Sequence, residues 1–258
     1  MAEVDVLIVP SLRSSAVKAA NMLVNGSYNV VFLNYPYNLQ SFIRSYAYGF
    51  ASLKGLVERV KCGSFIPEPV NSWLYLNEPI LEVLQRLGKN VKIFCYKDVD
   101  HYHMLADAAS KIASLTLRVN VTDKVDVDEW IKTMTEAFRT ETADWEAEVI
   151  TFKAEGKTIC LAGIEGWKLA KRIRKFGHKA NVKCVERLYC LKPLETFEIL
   201  LEKGKLTRED AEKLVREHAK FIRDFVLNTC NVDEAYHSWL EKRKIIGLGL
   251  SRKLQVPA

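Results

Sequence analysis

Residues 98–103 read Asp-Val-Asp-His-Tyr-His, the densest titratable cluster in the chain. Two carboxylates and two imidazoles within one helical turn could move protons near neutral pH. On a helix, however, His101 and His103 stand two apart and point away from each other. A helical metal pair wants a spacing of four, so no metal site is expected. A second acidic candidate is Glu165, set between Gly163 and Gly166 in a strand-to-helix turn. It could act as a general base, bind a cation, or simply favour a helix N-terminus. The catalytic set read from residue types is thus His101, Glu165 and Asp98.

Binding residues are expected in two further segments. Residues 10–15 (PSLRSS) place hydroxyls and an arginine between a strand and a helix start. Free N–H groups, a positive dipole end and a guanidinium suit a phosphate or carboxylate. Ser11, Arg13 and Ser14 are the candidates; alternatively Ser14 or Ser15 caps the helix and Arg13 is solvated. No glycine is present there, so neither a P-loop nor a dinucleotide fingerprint is read, and no cofactor is named. Residues 34–38 (NYPYN) could line a pocket through Tyr35, or form a Pro-containing turn. His103 completes the expected ligand set.

Charge suggests another partner. The chain carries net +6, and residues 165–187 alone match that figure, eight cations standing against Glu165 and Glu186. A local patch of Lys168, Lys171, Arg172, Arg174 and Lys175 could meet nucleic-acid phosphates. It could equally be the solvated face of a helix in a Lys/Glu-rich, thermophile-like protein. No nucleic-acid-binding motif accompanies it.

The elements that must position these groups alternate. Residues 4–10, 29–34 and 91–96 are β-branched or apolar runs separated by helical periodicity, and the first two make a βαβ unit. Gly49 should interrupt a helical region. Asn77 caps the next helix, with Pro79 in its first turn and Gly88 at its end. Asp98 opens another helix, and Asp126 or Asp128 the one after. Residues 148–152 and 158–163 read as two strands joined by a tight turn at 154–157, a hairpin. Residues 182–187 give the last strand. Pro193, the Thr207/Asp210 capping pair and Asn231 open three further helices. The expected architecture is α/β: a mixed, mostly parallel sheet of about six strands flanked by helices. Residues 1–190 form its core domain, and 191–258 a C-terminal helical extension packed on it.

Composition excludes several classes. At 48% hydrophobic and 27% charged residues, the chain is neither disordered nor fibrous. No apolar run approaches the ~20 residues of a membrane helix, and the acidic start lacks a signal-peptide n-region. A cytoplasmic protein without membrane contact is expected. None of the six cysteines forms a Cys-x-x-Cys pair, so no zinc or redox motif is read.

Four stretches, residues 6–20 (VLIVPSLRSSAVKAA), 29–36 (NVVFLNYP), 77–98 (NEPILEVLQRLGKNVKIFCYKD) and 157–173 (KTICLAGIEGWKLAKRI), carry a resemblance. Their order resembles the TraB / TIKI / erythromycin-esterase-like (ChaN-type) superfamily. The resemblance implies an α/β fold with pocket motifs at strand ends. It also implies Gly-x-x-His in the first and last motifs of hydrolytic members. Here those places read Pro10-Ser11-Leu12-Arg13 and Gly163-Ile164-Glu165-Gly166, without histidine, and Asn34-Tyr35-Pro36 stands where an acidic residue belongs. The leading expectation is therefore a ligand- or anion-binding, catalytically degenerate member. A nucleic-acid-associated protein is the alternative, and an active hydrolase using residues 98–103 with Glu165 is a further one.

Overall fold

The computed structural model of the chain describes residues 2–63, 65–67, 69–137 and 143–245. Five strands form one sheet: β1 (Glu3–Ile8), β2 (Val30–Pro36), β3 (Lys92–Lys97), β4 (Lys157–Ala162) and β5 (Lys179–Cys184). The order is β3-β2-β4-β1-β5 and every pairing is parallel.

The contacts divide the chain into two compact units. One holds Met1–His103 and Thr140–Arg187; the other holds Met104–Arg139 and Leu188–Ala258. The second boundary falls close to the expected cut at residue 190. The helical unit also takes in Met104–Arg139, which the sequence reading assigned to the core domain.

In the first unit the sheet is covered on both faces, as a parallel sheet requires. Leu7, Val31, Leu33, Ile93, Cys95, Ile159 and Leu161 pack one face against three helices: α1 (Arg13–Asn25), α2 (Gln40–Ala47) and α3 (Leu53–Cys62). A fourth helix, α4 (Val70–Val83), covers the same face. Gly49, at φ 83°, makes the break between α2 and α3. Val4, Val6, Val30, Phe32, Tyr96 and Cys160 turn the other way. They meet Ala147 and Ile150 of α7 (Ala143–Lys153) and Leu169 and Ile173 of α8 (Gly166–Lys175).

The hairpin expectation fails. Residues 148–152 belong to α7, so the sheet has five strands rather than six and is parallel rather than mixed. Ala147 and Ile150, three apart, are both fully buried, while Phe152 is 90% exposed, which is helical and not alternating burial. β4 also has no edge to offer a hairpin partner, because β1 and β2 flank it. The turn itself is present, with Gly156 at φ 53° between α7 and β4.

Helix α4 begins well before Asn77, leaving Pro79 in its interior. Proline has no N–H to donate to the carbonyl four residues back, which is Tyr75 O. The Arg13 guanidinium of α1 donates to that carbonyl instead. The sequence break is thus repaired by a side chain from a neighbouring helix.

The helical unit has a core of its own. α5 (Val99–Thr122) enters it after its first turn, joined by α6 (Val127–Ala137), α9 (Pro193–Glu202), α10 (Arg208–Asp224) and α11 (Val232–Ile245). Leu115, Trp130, Met134, Phe197, Leu214 and Val215 fill its centre. The expected caps form: Asp126, Thr207 and Asn231 accept from backbone N–H groups at 3.0 Å. The cationic tail beyond residue 245, with Gly247 and Gly249, lies outside the described residues.

Candidate functional site

Strands β1 and β4 are neighbours, but the helices that follow them, α1 and α8, lie on opposite faces of the sheet. Such divergence opens a crevice beyond the carboxyl ends of the strands. Val9 N donates to Ala162 O at 2.8 Å, holding the two exits together at its base. A cavity of about 190 Å³ occupies this place. Its polar and aromatic lining comes from Ser11, Asn34, Tyr35, Trp73, Asn77 and Tyr102. No charged side chain lines it among the described residues.

Tyr35 is the least ordinary of these. It is 1% exposed, and its hydroxyl has no hydrogen-bond partner. Burial pushes its pKa well above that of a free phenol. The ring meets Trp73 edge-on at 5.1 Å. Asn77 donates its amide N–H to Trp73 O at 2.8 Å. Tyr102 is driven up to about 12, chiefly by burial. Behind the wall, the Tyr96 hydroxyl reaches Leu161 O at 2.9 Å and Asn34 Oδ1 at 3.2 Å.

Beside the cavity lies a charge cluster. Lys97 Nζ sits 3.2 Å from Glu146 Oε2 and 3.2 Å from Glu165 Oε1. Lys97 and Glu146 are buried, whereas the Glu165 side chain is 35% exposed. Asp98 N donates to Glu146 Oε1 at 3.4 Å, and Gly163 N to Glu165 Oε1 at 3.3 Å. Burial works against the Lys97 cation, but Glu165 and Glu146 outweigh it and raise its pKa. Burial likewise opposes the Glu165 anion, and Lys97 with the Gly163 N–H lowers its pKa on balance. One ammonium between two carboxylates leaves a formal charge of −1. Gly163 joins the cluster to the cavity: it lines the cavity wall, and a Cβ there would fall 2.4 Å from Glu165 Oε2.

Asp98 accepts the His101 N–H at 2.8 Å and so caps α5. Burial lowers the pKa of His101, against the pull of Glu146, Asp98 and Glu165 and with help from Lys97. His101 is therefore a neutral imidazole at pH 7.

Three helix N-termini reach this end of the sheet, and each already meets a carboxylate. Asp98 serves α5, and Glu165 stands at the N-cap position of α8. Glu186 takes the Ser15 hydroxyl of the first turn of α1 at 2.9 Å and the Lys18 ammonium at 2.6 Å. Ser14 and Ser15 lie inside α1, whose N-cap position is Leu12, so neither hydroxyl is an N-cap. Arg13 does not line the cavity: it bonds Tyr75 O and Glu78 Oε2 (2.8 Å) and stacks over the Tyr75 ring.

The structure thus brings Ser11 and Tyr35 to the cavity, and Glu165, Asp98 and His101 to the charge cluster. Arg13, Ser14 and His103 do not line the cavity. Among the described residues, no group of three or more His, Cys, Asp or Glu is arranged to hold a metal. Of the basic segment, Arg172 pairs with Asp144 at 2.9 Å, and Arg174 donates to Ala180 O at 2.8 and 3.0 Å. Lys171 and Lys175 are exposed.

Sequence reasoning missed Lys97, Glu146 and the aromatic wall. A lysine closing a buried strand was a usable signal for Lys97. Glu146 had none, because its partner lies 49 residues away.

No helix among the described residues is long and apolar enough to cross a membrane. No family model, no curated protein and no solved structure matches the chain.

Proposed function

We propose that the α/β unit binds a small polar molecule in the cavity at the carboxyl ends of β1, β2 and β4, without histidine-based hydrolysis. The observation that carries this reading is the Tyr35 hydroxyl, buried in the cavity wall with no partner. Such a group costs about 1–3 kcal/mol unless something satisfies it. A ligand atom in the cavity does so. The volume is below the roughly 300–1,000 Å³ of drug-sized sites, so the ligand is a small metabolite.

The reading keeps the pocket implied by the superfamily resemblance and drops the reaction. The two segments standing in place of its histidine motifs, at Pro10–Arg13 and Gly163–Gly166, are the exits of β1 and β4. Glu165, held ionised by Lys97, suits the binding of a donor better than the delivery of a proton.

The test is ligand-observed NMR on the full chain with a panel of small polar metabolites, followed by Trp fluorescence for contact with Trp73. Binding that vanishes when Ala16→Leu narrows the cavity supports the reading. A panel with no binder, or binders indifferent to Ala16→Leu in a folded protein, sinks it.

A further inference from the structure

The chemistry around the cavity favours one ligand class over the phosphate or carboxylate expected from sequence. An anion would need a free cation or an unserved helix terminus. Arg13, the guanidinium at the β1 exit, is engaged by Glu78 and by the carbonyl that Pro79 cannot reach. Each helix start at this end has its own carboxylate, from Glu186, Asp98 or Glu165. Lys97 is enclosed by two carboxylates.

What remains favours a cation that donates hydrogen bonds. The cluster of Lys97, Glu146 and Glu165 carries a surplus negative charge, and its exposed member is Glu165. That charge lies against the cavity wall, since Gly163 lines the wall and donates to Glu165. Tyr102, another wall residue, feels both Lys97 and Glu165. Low-dielectric walls focus such a field into the cavity. The amide of Asn77 spends its N–H on Trp73 O, leaving Oδ1 as an acceptor. Tyr35 offers an oxygen with no partner. The rings of Tyr35, Trp73 and Tyr102 supply faces of the kind that attract an ammonium.

We propose that the cavity takes a small primary amine, bound as its ammonium between Asn77 Oδ1 and the Tyr35 hydroxyl, in the field of Glu165. This rests on the cavity being a binding site, and it names the ligand class.

The experiment is calorimetric titration of the full chain with four probes at constant ionic strength: ethanolamine, ethylene glycol, acetate and inorganic phosphate. Ethanolamine should bind saturably while the other three do not. Tyr35→Phe and Glu165→Gln should each weaken it by about tenfold or more, as loss of a charged hydrogen bond does. Asn77→Asp should tighten it, which keeps the test open if Glu165→Gln does not fold. Ethylene glycol, acetate or phosphate binding in the cavity while ethanolamine stays silent overturns the amine assignment and leaves the cavity standing. Ethanolamine binding unchanged in all three variants places it elsewhere and overturns the assignment. Silence from all four probes overturns it too, and only failure of the wider metabolite panel then removes the cavity as a site.

Discussion

The buried ammonium of Lys97 lies 3.2 Å from Glu165 Oε1, tying the end of β3 to the turn between β4 and α8. Neither residue is near the other in sequence, and β2 separates their strands in the sheet. Lys97 also holds Glu146 of α7, so one side chain pins two helices and two strand ends.

Removing that ammonium leaves Glu146 buried and unpaired. Lys97→Met should therefore cost about 3–5 kcal/mol, the range for breaking a buried ion pair. Lys97→Met with Glu146→Leu should recover much of the loss, because no buried charge is then stranded. Urea denaturation midpoints at pH 7 check both.

Tyr35→Phe should act in opposite directions on fold and ligand. The hydroxyl has no partner in the folded chain, so its loss should leave stability unchanged or raise it by about 1 kcal/mol. Binding in the cavity should weaken. A variant that is clearly less stable would show that the hydroxyl has a structural partner.

Arg13→Lys should weaken the fold and spare anion binding. A lysine cannot serve Glu78 and Tyr75 O together in the planar fork geometry. The pair with Glu78 is partly exposed, so the total cost should be about 1–2 kcal/mol. Loss of phosphate binding in this variant, at full stability, would return Arg13 to a ligand role.

In the helical unit, His218 is 7% exposed and stands edge-on to Trp130 at 6.0 Å. Burial, with Lys192, pushes its pKa down to about 4. The folded chain keeps it neutral, while the unfolded chain protonates it near the reference value of about 6.5. The unfolded state thus binds the extra proton between those values. Stability from this group is complete above pH 6.5 and lost as pH falls towards 4. The loss is on the order of 3 kcal/mol. Denaturation midpoints measured by Trp fluorescence across that window should fall with pH, and His218→Phe should flatten the fall.

Local chemistry carried much of the architecture. β1, β2 and β3 were legible as apolar runs too short and too β-branched for helices. Asp98, Asp126, Thr207 and Asn231 were legible as caps because a cap is made within three residues. Residues 148–152 were not legible. Five β-branched and aromatic residues suit a strand or a helix equally, and only the occupied edges of β4 exclude the strand. Interior Pro79 misled for a similar reason, since its repair by Arg13 comes from another helix.

The candidate site divides in the same way. The sequence by itself determined that polar residues follow the strands: Ser11, Asn34, Tyr35, Asp98 and Glu165. Only the tertiary structure decided which of them share a space. It placed β4 between β1 and β2, brought Lys97 to Glu146 and Glu165, and turned Arg13 from the expected anion ligand into the partner of Tyr75 O. The reason is physical. Capping and periodicity act within a few residues, whereas a buried charge or an orphaned carbonyl takes whichever partner the packed chain brings within hydrogen-bond reach.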